Sequence, residues 1–148
     1  MPHCEVQIRR LPHYEGLPLP QYMTSGSIGL DLLAAVHDLI EIPPGKRAII
    51  PTGIQMALPE GFEGQVRPRS GLAFKEGIAI LNAPGTIDSD YRGEIQVILY
   101  NTGDTPFTVE RGMRMAQLVI APVVKAQFVL VDNLSATVRG IGGFGHTG

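Results

Sequence analysis

The segment Leu81–Glu94 gathers Asn82, Asp88, Asp90, Tyr91, Arg92 and Glu94 between two apolar runs. A carboxylate held there can take a proton from water. Asp88 follows Ile87 within the strand pattern, which predicts a place at the margin of the core rather than at a loop tip. Asn82 carries a donor and an acceptor side by side, the pattern that suits a pyrimidine edge. Tyr91 can present a ring face. The plainer alternative for the whole stretch is a solvated β-hairpin with Asx-turns.

Three further stretches invite chemistry. In Pro68-Arg69-Ser70-Gly71-Leu72, an arginine, a hydroxyl and a glycine meet where a helix is predicted to start, with Ser70 as its N-cap. Free N–H groups and the helix dipole favour anions at such a point. In isolation the same residues also read as a capping serine beside a surface arginine. Gln117 interrupts an apolar run in Gly112-Met113-Arg114-Met115-Ala116-Gln117-Leu118, either as a satisfied core amide or as a ligand contact. Asp31 sits among apolar neighbours in Ser25–Leu32, either as a structural carboxylate accepting backbone N–H bonds or as a contact to metal-bound water.

The sequence closes on RGIGGFGHTG. Taken literally, Gly140–Gly145 matches G-x-G-x-x-G, but no helix-length segment and no acidic residue follow it, so the dinucleotide fingerprint fails. A loose end is one reading. A lid is the other: glycine N–H groups can wrap an anion, Arg139 can grip phosphate with a forked pair of bonds, and Phe144 can stack on a flat ring. A loose end has no use for that aromatic, which favours the lid.

These residues need a scaffold, and the composition says which kind. The 148 residues suit one domain. With 18 glycines and 12 prolines, helix breakers are dense. Turn pairs such as Pro43-Pro44-Gly45, Pro51-Thr52-Gly53, Pro59-Glu60-Gly61 and Glu110-Arg111-Gly112 separate short β-branched runs. The runs are Arg47–Ile50, Ile54–Leu58, Ile78–Leu81, Ile95–Tyr100, Phe107–Val109, Met115–Ile120 and Val123–Val131, with His37–Ile40 also read as strand. Glu5-Val6-Gln7-Ile8 alternates, whereas Leu118-Val119-Ile120 is continuously apolar and predicted buried on both faces. One short helix is predicted, over Ser70–Lys75. The fold expected is all-β, a sandwich or barrel.

The formal net charge of −2 and the lack of a basic block speak against a nucleic-acid partner. No apolar run approaches the roughly 18 residues of a membrane helix, and residues 1–20, with Glu5, Arg9, Arg10 and several prolines, do not read as a secretory signal. A single cysteine, Cys4, allows no intramolecular disulfide. The chain reads as cytoplasmic.

In this order and at this spacing, the stretches Ile28-Gly29-Leu30-Asp31-Leu32, Pro68-Arg69-Ser70-Gly71-Leu72, Gly85-Thr86-Ile87-Asp88-Ser89-Asp90-Tyr91-Arg92-Gly93, Gly112–Leu118 and Arg139–Gly148 resemble the motifs of the dUTPase family. The resemblance spans about Ser25 to the C-terminus. It implies a jelly-roll-like distorted β-barrel or sandwich, assembled as a homotrimer with shared sites, and hydrolysis of dUTP to dUMP and pyrophosphate with Mg²⁺. It divides the chain into a body, 1–138, and a glycine-rich lid, 139–148, that orders over bound triphosphate.

The resemblance also implies roles. Asp88 would activate the attacking water, Tyr91 would lie against the deoxyribose, and Asn82 with the backbone of Gly85, Thr86 and Ile87 would read uracil. Arg69, Ser70, Gly71 and Gln117 would hold phosphates. Arg139 and the amides of the tail, Gly145 among them, would take the γ-phosphate. Phe144 would stack on uracil, and Gln96 would touch substrate. No side chain is expected to ligate Mg²⁺ directly, and Asp31 would at most touch a water on it. Ile28, Met113 and His146 depart from the alanine, aspartate and serine usual in the family. A dCTP deaminase-like enzyme on the same fold is the nearest rival, and a non-catalytic trimeric nucleotide-binding module another. The loop Asn82–Asp88, with its carboxylate, favours the pyrophosphatase.

Overall fold

The computed structural model describes residues 3–147. Its elements run β1 (Gln7–Arg10), a 3₁₀ helix (Pro12–Tyr14), β2 (Gly29–Leu33), β3 (Ile40–Ile42), β4 (Arg47–Pro51), β5 (Ile54–Ala57), β6 (Phe62–Arg67), α1 (Ser70–Glu76), β7 (Ile78–Ile80), β8 (Gly85–Ile87), β9 (Gln96–Asn101), β10 (Phe107–Val109) and β11 (Arg114–Pro122). The fold is mostly β with one α-helix, as the density of helix breakers predicts. The strands form four sheets, in the orders β1-β5, β10-β3, β2-β11-β6-β8 and β4-β9-β7. None closes into a barrel. All contribute to one apolar core, in which Leu32, Met115 and Leu118 from one sheet meet Ile50, Val97 and Leu99 from another.

Two sequence patterns explain most of that core. In β9 the buried residues alternate, Val97, Leu99 and Asn101 facing inward. In β11 they come in pairs. A register shift between Arg114 and Ala116 lets Met115 and Ala116 both turn inward. Leu118 and Val119, which point to opposite faces, are also both buried, on a strand with β2 on one side and β6 on the other. Asn101 is fully buried and fully bonded. Its Nδ2 donates to Ile42 O at 2.9 Å and Thr105 O at 2.8 Å, and its Oδ1 accepts from Gly103 N at 2.9 Å.

The N-terminal lead is pinned by Tyr14, only 2% exposed, whose hydroxyl donates to Pro18 O. Burial pushes its phenol above the ordinary value of 10.0, and Arg10 pulls partly the other way. Beneath Tyr14 lies Gly53, at φ 71° in the turn between β4 and β5. A Cβ there would stand 3.0 Å from both Tyr14 Cδ2 and Ala35 Cβ, so the turn needs glycine for its backbone and its space.

Several expectations are corrected. His37 and Asp38 form a bend, and the strand begins only at Ile40. β11 ends at Pro122, and Val123 N still donates to Gly61 O at 2.9 Å, but among the described residues no strand pairs with 124–131, and Val124, Phe128 and Leu130 are almost wholly exposed. All four residues of β1 are exposed, although Met56 and Ile54, opposite Ile8 and Arg10 on β5, are buried. Arg69, not Ser70, occupies the N-cap position of the helix, with no side-chain capping bond, and Ser70 is already the first helical residue. The 3₁₀ turn over Pro12–Tyr14 is an addition, with proline at its start.

Candidate functional site

The segment Leu81–Glu94 builds a cleft of about 190 Å³ lined by Val66, Asn82, Gly85, Thr86, Ile87, Asp88, Tyr91, Glu94, Ile95 and Gln96. Strand β8 supplies its floor by pairing with β6, Gly85 opposite Val66 and Ile87 opposite Gly64. Gly85 is buried, and a Cβ on it would stand 3.2 Å from Val66 Cβ and 3.4 Å from Asn82 Nδ2. Glycine therefore lets the Asn82 amide lie close over the strand. Burial in β8 alternates: Gly85 and Ile87 face inward, Thr86 outward. Asp88 continues that alternation and is exposed in the cleft wall. This corrects the expectation that it lies at the core margin, since a period of two puts it on the face opposite Ile87.

Beyond Asp88 the chain turns back. Tyr91 N donates to Asp88 O at 3.1 Å, and Arg92 Nη1 donates to Ser89 O at 2.7 Å and Tyr91 O at 3.0 Å. The Tyr91 hydroxyl donates to Glu94 O at 2.9 Å. Its ring crosses Gly93 so closely that any Cβ there would overlap the phenol. Gln96, exposed at the start of β9, completes the wall.

A second group lies farther along the same four-stranded sheet, on β2 and β11. Asp31 and Gln117 are register partners across these strands. The Asp31 carboxylate faces two cations, Arg69 Nε at 3.1 Å and Arg114 Nε at 3.7 Å. Arg69 also donates from Nη1 to Arg114 O at 3.0 Å. Asp31 is therefore half-buried and ion-paired, rather than a carboxylate held by backbone N–H groups. Gln117 Nε2 donates to Pro68 O at 2.9 Å, and a Cβ at Gly29 would overlap Gln117 Oε1. Ser70 and Gly71 are exposed at the start of α1, beside Arg69.

The tail forms a third group, with local bonds only among the described residues. Arg139 Nε donates to Gly142 O at 2.8 Å, Gly140 N to Thr137 O at 3.2 Å, and His146 N to Gly143 O at 3.1 Å. Phe144 is fully exposed, at φ 51°, in the left-handed region that non-glycine residues seldom enter. Gly145 is exposed beside it, and Gly148 lies outside the described residues.

The structure thus brings together Asn82, Gly85, Thr86, Ile87, Asp88, Tyr91 and Gln96 in one cleft, and Asp31, Arg69, Ser70, Gly71 and Gln117 in a second group. It brings neither Arg139 nor Phe144 to either group within one chain. Sequence reasoning named Glu94 in this segment without a role and passed over Ile95 and Val66 as lining residues. The acidic residue at the end of the hairpin was a usable signal for Glu94.

No three His, Cys, Asp or Glu side chains gather around one point among the described residues. The donors present, an exposed Asp88 and arginines suited to phosphate, fit a Mg²⁺ ion that takes its oxygens mainly from phosphate and water. No helix among the described residues is long and apolar enough to cross a membrane.

A family model described as dUTPase matches residues 15–148. A deoxyuridine 5'-triphosphate nucleotidohydrolase of Rhizobium etli (strain CIAT 652) is 59% identical over 141 residues, covering 94% of this chain and 90% of the relative. Among solved structures, the dUTPase of Staphylococcus bacteriophage 80alpha with dUPNHPP aligns with a TM-score of 0.88 at 24% identity, covering 97% of this chain and 98% of that one. A dUTPase from phage phi11 of S. aureus, described with a coordinated structural Mg(II) ion, aligns with a TM-score of 0.80 at 22% identity, covering 90% of this chain and 100% of that one. The two phage structures speak for the fold, whereas the family model and the Rhizobium relative span nearly all of the sequence: the chain belongs to the dUTPase family.

Proposed function

We propose that the cleft beside β8 takes the deoxyuridine of dUTP and that Asp88 is the base on its attacking water. The reaction is hydrolysis of dUTP to dUMP and pyrophosphate. Asp88 takes a proton from water, the water oxygen attacks the α-phosphorus, and pyrophosphate leaves. One observation carries this assignment: an exposed carboxylate, a tyrosine ring and an asparagine amide share the wall of one cleft with the inner strand β8.

Asn82 and the backbone of Gly85, Thr86 and Ile87 read the uracil edge. Cytosine presents a donor where uracil presents an acceptor and leaves a group unpaired. Tyr91 lies against the deoxyribose, and Gln96 touches substrate from β9. Arg69, Ser70, Gly71 and Gln117 hold phosphates, with Asp31 orienting Arg69 through their ion pair. Arg139 and the tail amides, that of Gly145 included, take the γ-phosphate, while Phe144 stacks on the base. Mg²⁺ would supply neutralisation of charge on the phosphate oxygens, with no side chain of this protein as its direct ligand and Asp31 reaching at most a water on it.

The three groups come together in a homotrimer, in which each site draws on more than one copy. What supports this is the chain after β11: Val124, Phe128, Leu130, Ile141 and Phe144 all face solvent in a single chain and need another surface to cover them. Residues 1–138 form the body and 139–148 the lid. The enzyme works in the cytoplasm, where its charged substrate is held.

Pyrophosphate release from dUTP, dCTP, dTTP and UTP with Mg²⁺, followed also for ammonia, tests the assignment. Turnover confined to dUTP without ammonia is expected. Ammonia from dCTP would move the chain to the deaminase branch. At the phosphate end, Gly29→Ala displaces the flexible Gln117 amide and no backbone. Melting should fall by the equivalent of one hydrogen bond, about 1 kcal/mol. KM for dUTP should rise about tenfold, the loss of one good polar contact. Steady-state kinetics beside a thermal melt measure both.

A further inference from the structure

Glu94 lines the cleft with Asp88, and the roles assigned above leave it unused. Its Oε1 accepts from Gly53 N at 2.8 Å and meets His13 Nε2 at 2.5 Å. Both side chains are largely buried, 21% exposed for Glu94 and 25% for His13. The backbone carbonyl of the same residue accepts from the Tyr91 hydroxyl. Ile95 continues the anchorage: its N–H donates to Ile54 O at 2.9 Å, and its carbonyl accepts from Thr52 N at 3.2 Å and from Thr52 Oγ1. The bonds of Arg92 and of Tyr91 N–H stay inside the loop, whereas those of Glu94 and Ile95 leave it for the β4–β5 turn and the 3₁₀ helix.

Those anchors are themselves rigid. Gly53 is packed beneath Tyr14 and accepts from Leu11 N through its carbonyl at 2.8 Å. His13 sits next to Tyr14, whose ring is buried in the core. A continuous line thus runs from the core through His13 and Gly53 to the Glu94 carboxylate, and from the Glu94 carbonyl to the Tyr91 phenol. A ring that rejects a 2′-hydroxyl by contact must not retreat, and displacement by about 1 Å can change rates by about 10²-fold.

We propose that Glu94, clamped by His13 and the Gly53 amide, is a positioning residue that sets the selection of deoxyribose over ribose by fixing Tyr91. This rests on Tyr91 as the sugar gate. His13 precedes the residues matched by the family model, so the N-terminal lead becomes part of substrate selection.

The test compares kcat/KM for dUTP and UTP in the full-length protein and in Glu94→Ala, Glu94→Gln, His13→Ala, Tyr91→Phe and Tyr91→Ala. In Glu94→Ala the preference for dUTP over UTP should fall about tenfold or more, with kcat on dUTP within about threefold of the parent. Glu94→Gln keeps an acceptor oxygen and should keep the preference. Tyr91→Phe cuts the other end of the line and should behave as Glu94→Ala does. If Glu94→Ala does not fold, His13→Ala carries the test with a smaller loss of preference. An unchanged preference in Glu94→Ala and Tyr91→Phe, with relaxation in Tyr91→Ala, overturns the clamp and leaves the gate standing. An unchanged preference in Tyr91→Ala removes the gate itself, and the clamp with it.

Discussion

Asp88→Asn should lower kcat on dUTP by about 10²–10⁴-fold, the span of a lost general base, while the protein still binds dUTP. The substitution keeps the shape of the side chain. Among the described residues no hydrogen bond or ion pair reaches the Asp88 carboxylate, so the fold loses no partner when it becomes an amide. The residue is exposed, and solvent-facing substitutions of this kind usually change stability by less than about 0.5 kcal/mol. Removing a negative charge beside a triphosphate should, if anything, favour binding. Single-turnover hydrolysis and calorimetric titration with dUTP separate the two effects. Loss of binding alongside loss of turnover would make Asp88 a structural or binding residue and would remove the proposed base.

Deleting residues 139–148 should leave melting nearly unchanged and reduce dUTP turnover by about 10²–10³-fold, the effect of losing donors that act on developing phosphate charge. Melting should hold because the bonds of this segment are local among the described residues: Arg139 to Gly142 and His146 to Gly143 lie within it, and Gly140 reaches only as far as Thr137, two residues before it. Turnover should fall because Arg139, Phe144 and the glycine amides are lost together. Closing such a segment costs roughly 1–2 kcal/mol of backbone entropy per residue, so bound triphosphate must supply the ordering. Protection of the tail from protease by dUTP, in the intact chain, checks that coupling. A truncated protein that unfolds would overturn the lid.

Much of the fold can be read from local chemistry. Turn pairs ending in glycine mark chain reversals, and at Gly53 the structure adds the reason, since the turn packs beneath Tyr14. The paired burial of Leu118 and Val119 in β11 follows from the continuous apolar run there. The errors share a cause, which is that composition does not reveal a partner. Residues 123–131 have strand composition, yet beyond the bond of Val123 N to Gly61 O no strand lies beside them among the described residues. His37–Ile40 reads as strand, yet only from Ile40 does β10 offer a ladder, Val109 opposite Ile40. For the site, the cleft residues from Asn82 to Tyr91 lie close in sequence and are legible together, whereas Val66 comes from a distant strand. The contact of His13 with Glu94 joins residues 81 positions apart, and no local pattern announces it.

The exposed apolar arm after Pro122 has a consequence for how copies can meet. In a three-membered ring, an arm that leaves its own body to cover the next copy makes a head-to-tail contact, unlike the reciprocal exchange of a two-fold dimer. Such contacts close into a ring at one copy number or else run on as an open filament, and the direction of the chain as it leaves β11 decides which. In the proposed trimer, Pro122 and the residues just after it would then act as a vertex, with the angle of a three-membered ring written into a few backbone torsions. A substitution that leaves every site residue intact but bends this corner would turn the closed ring into a polymer.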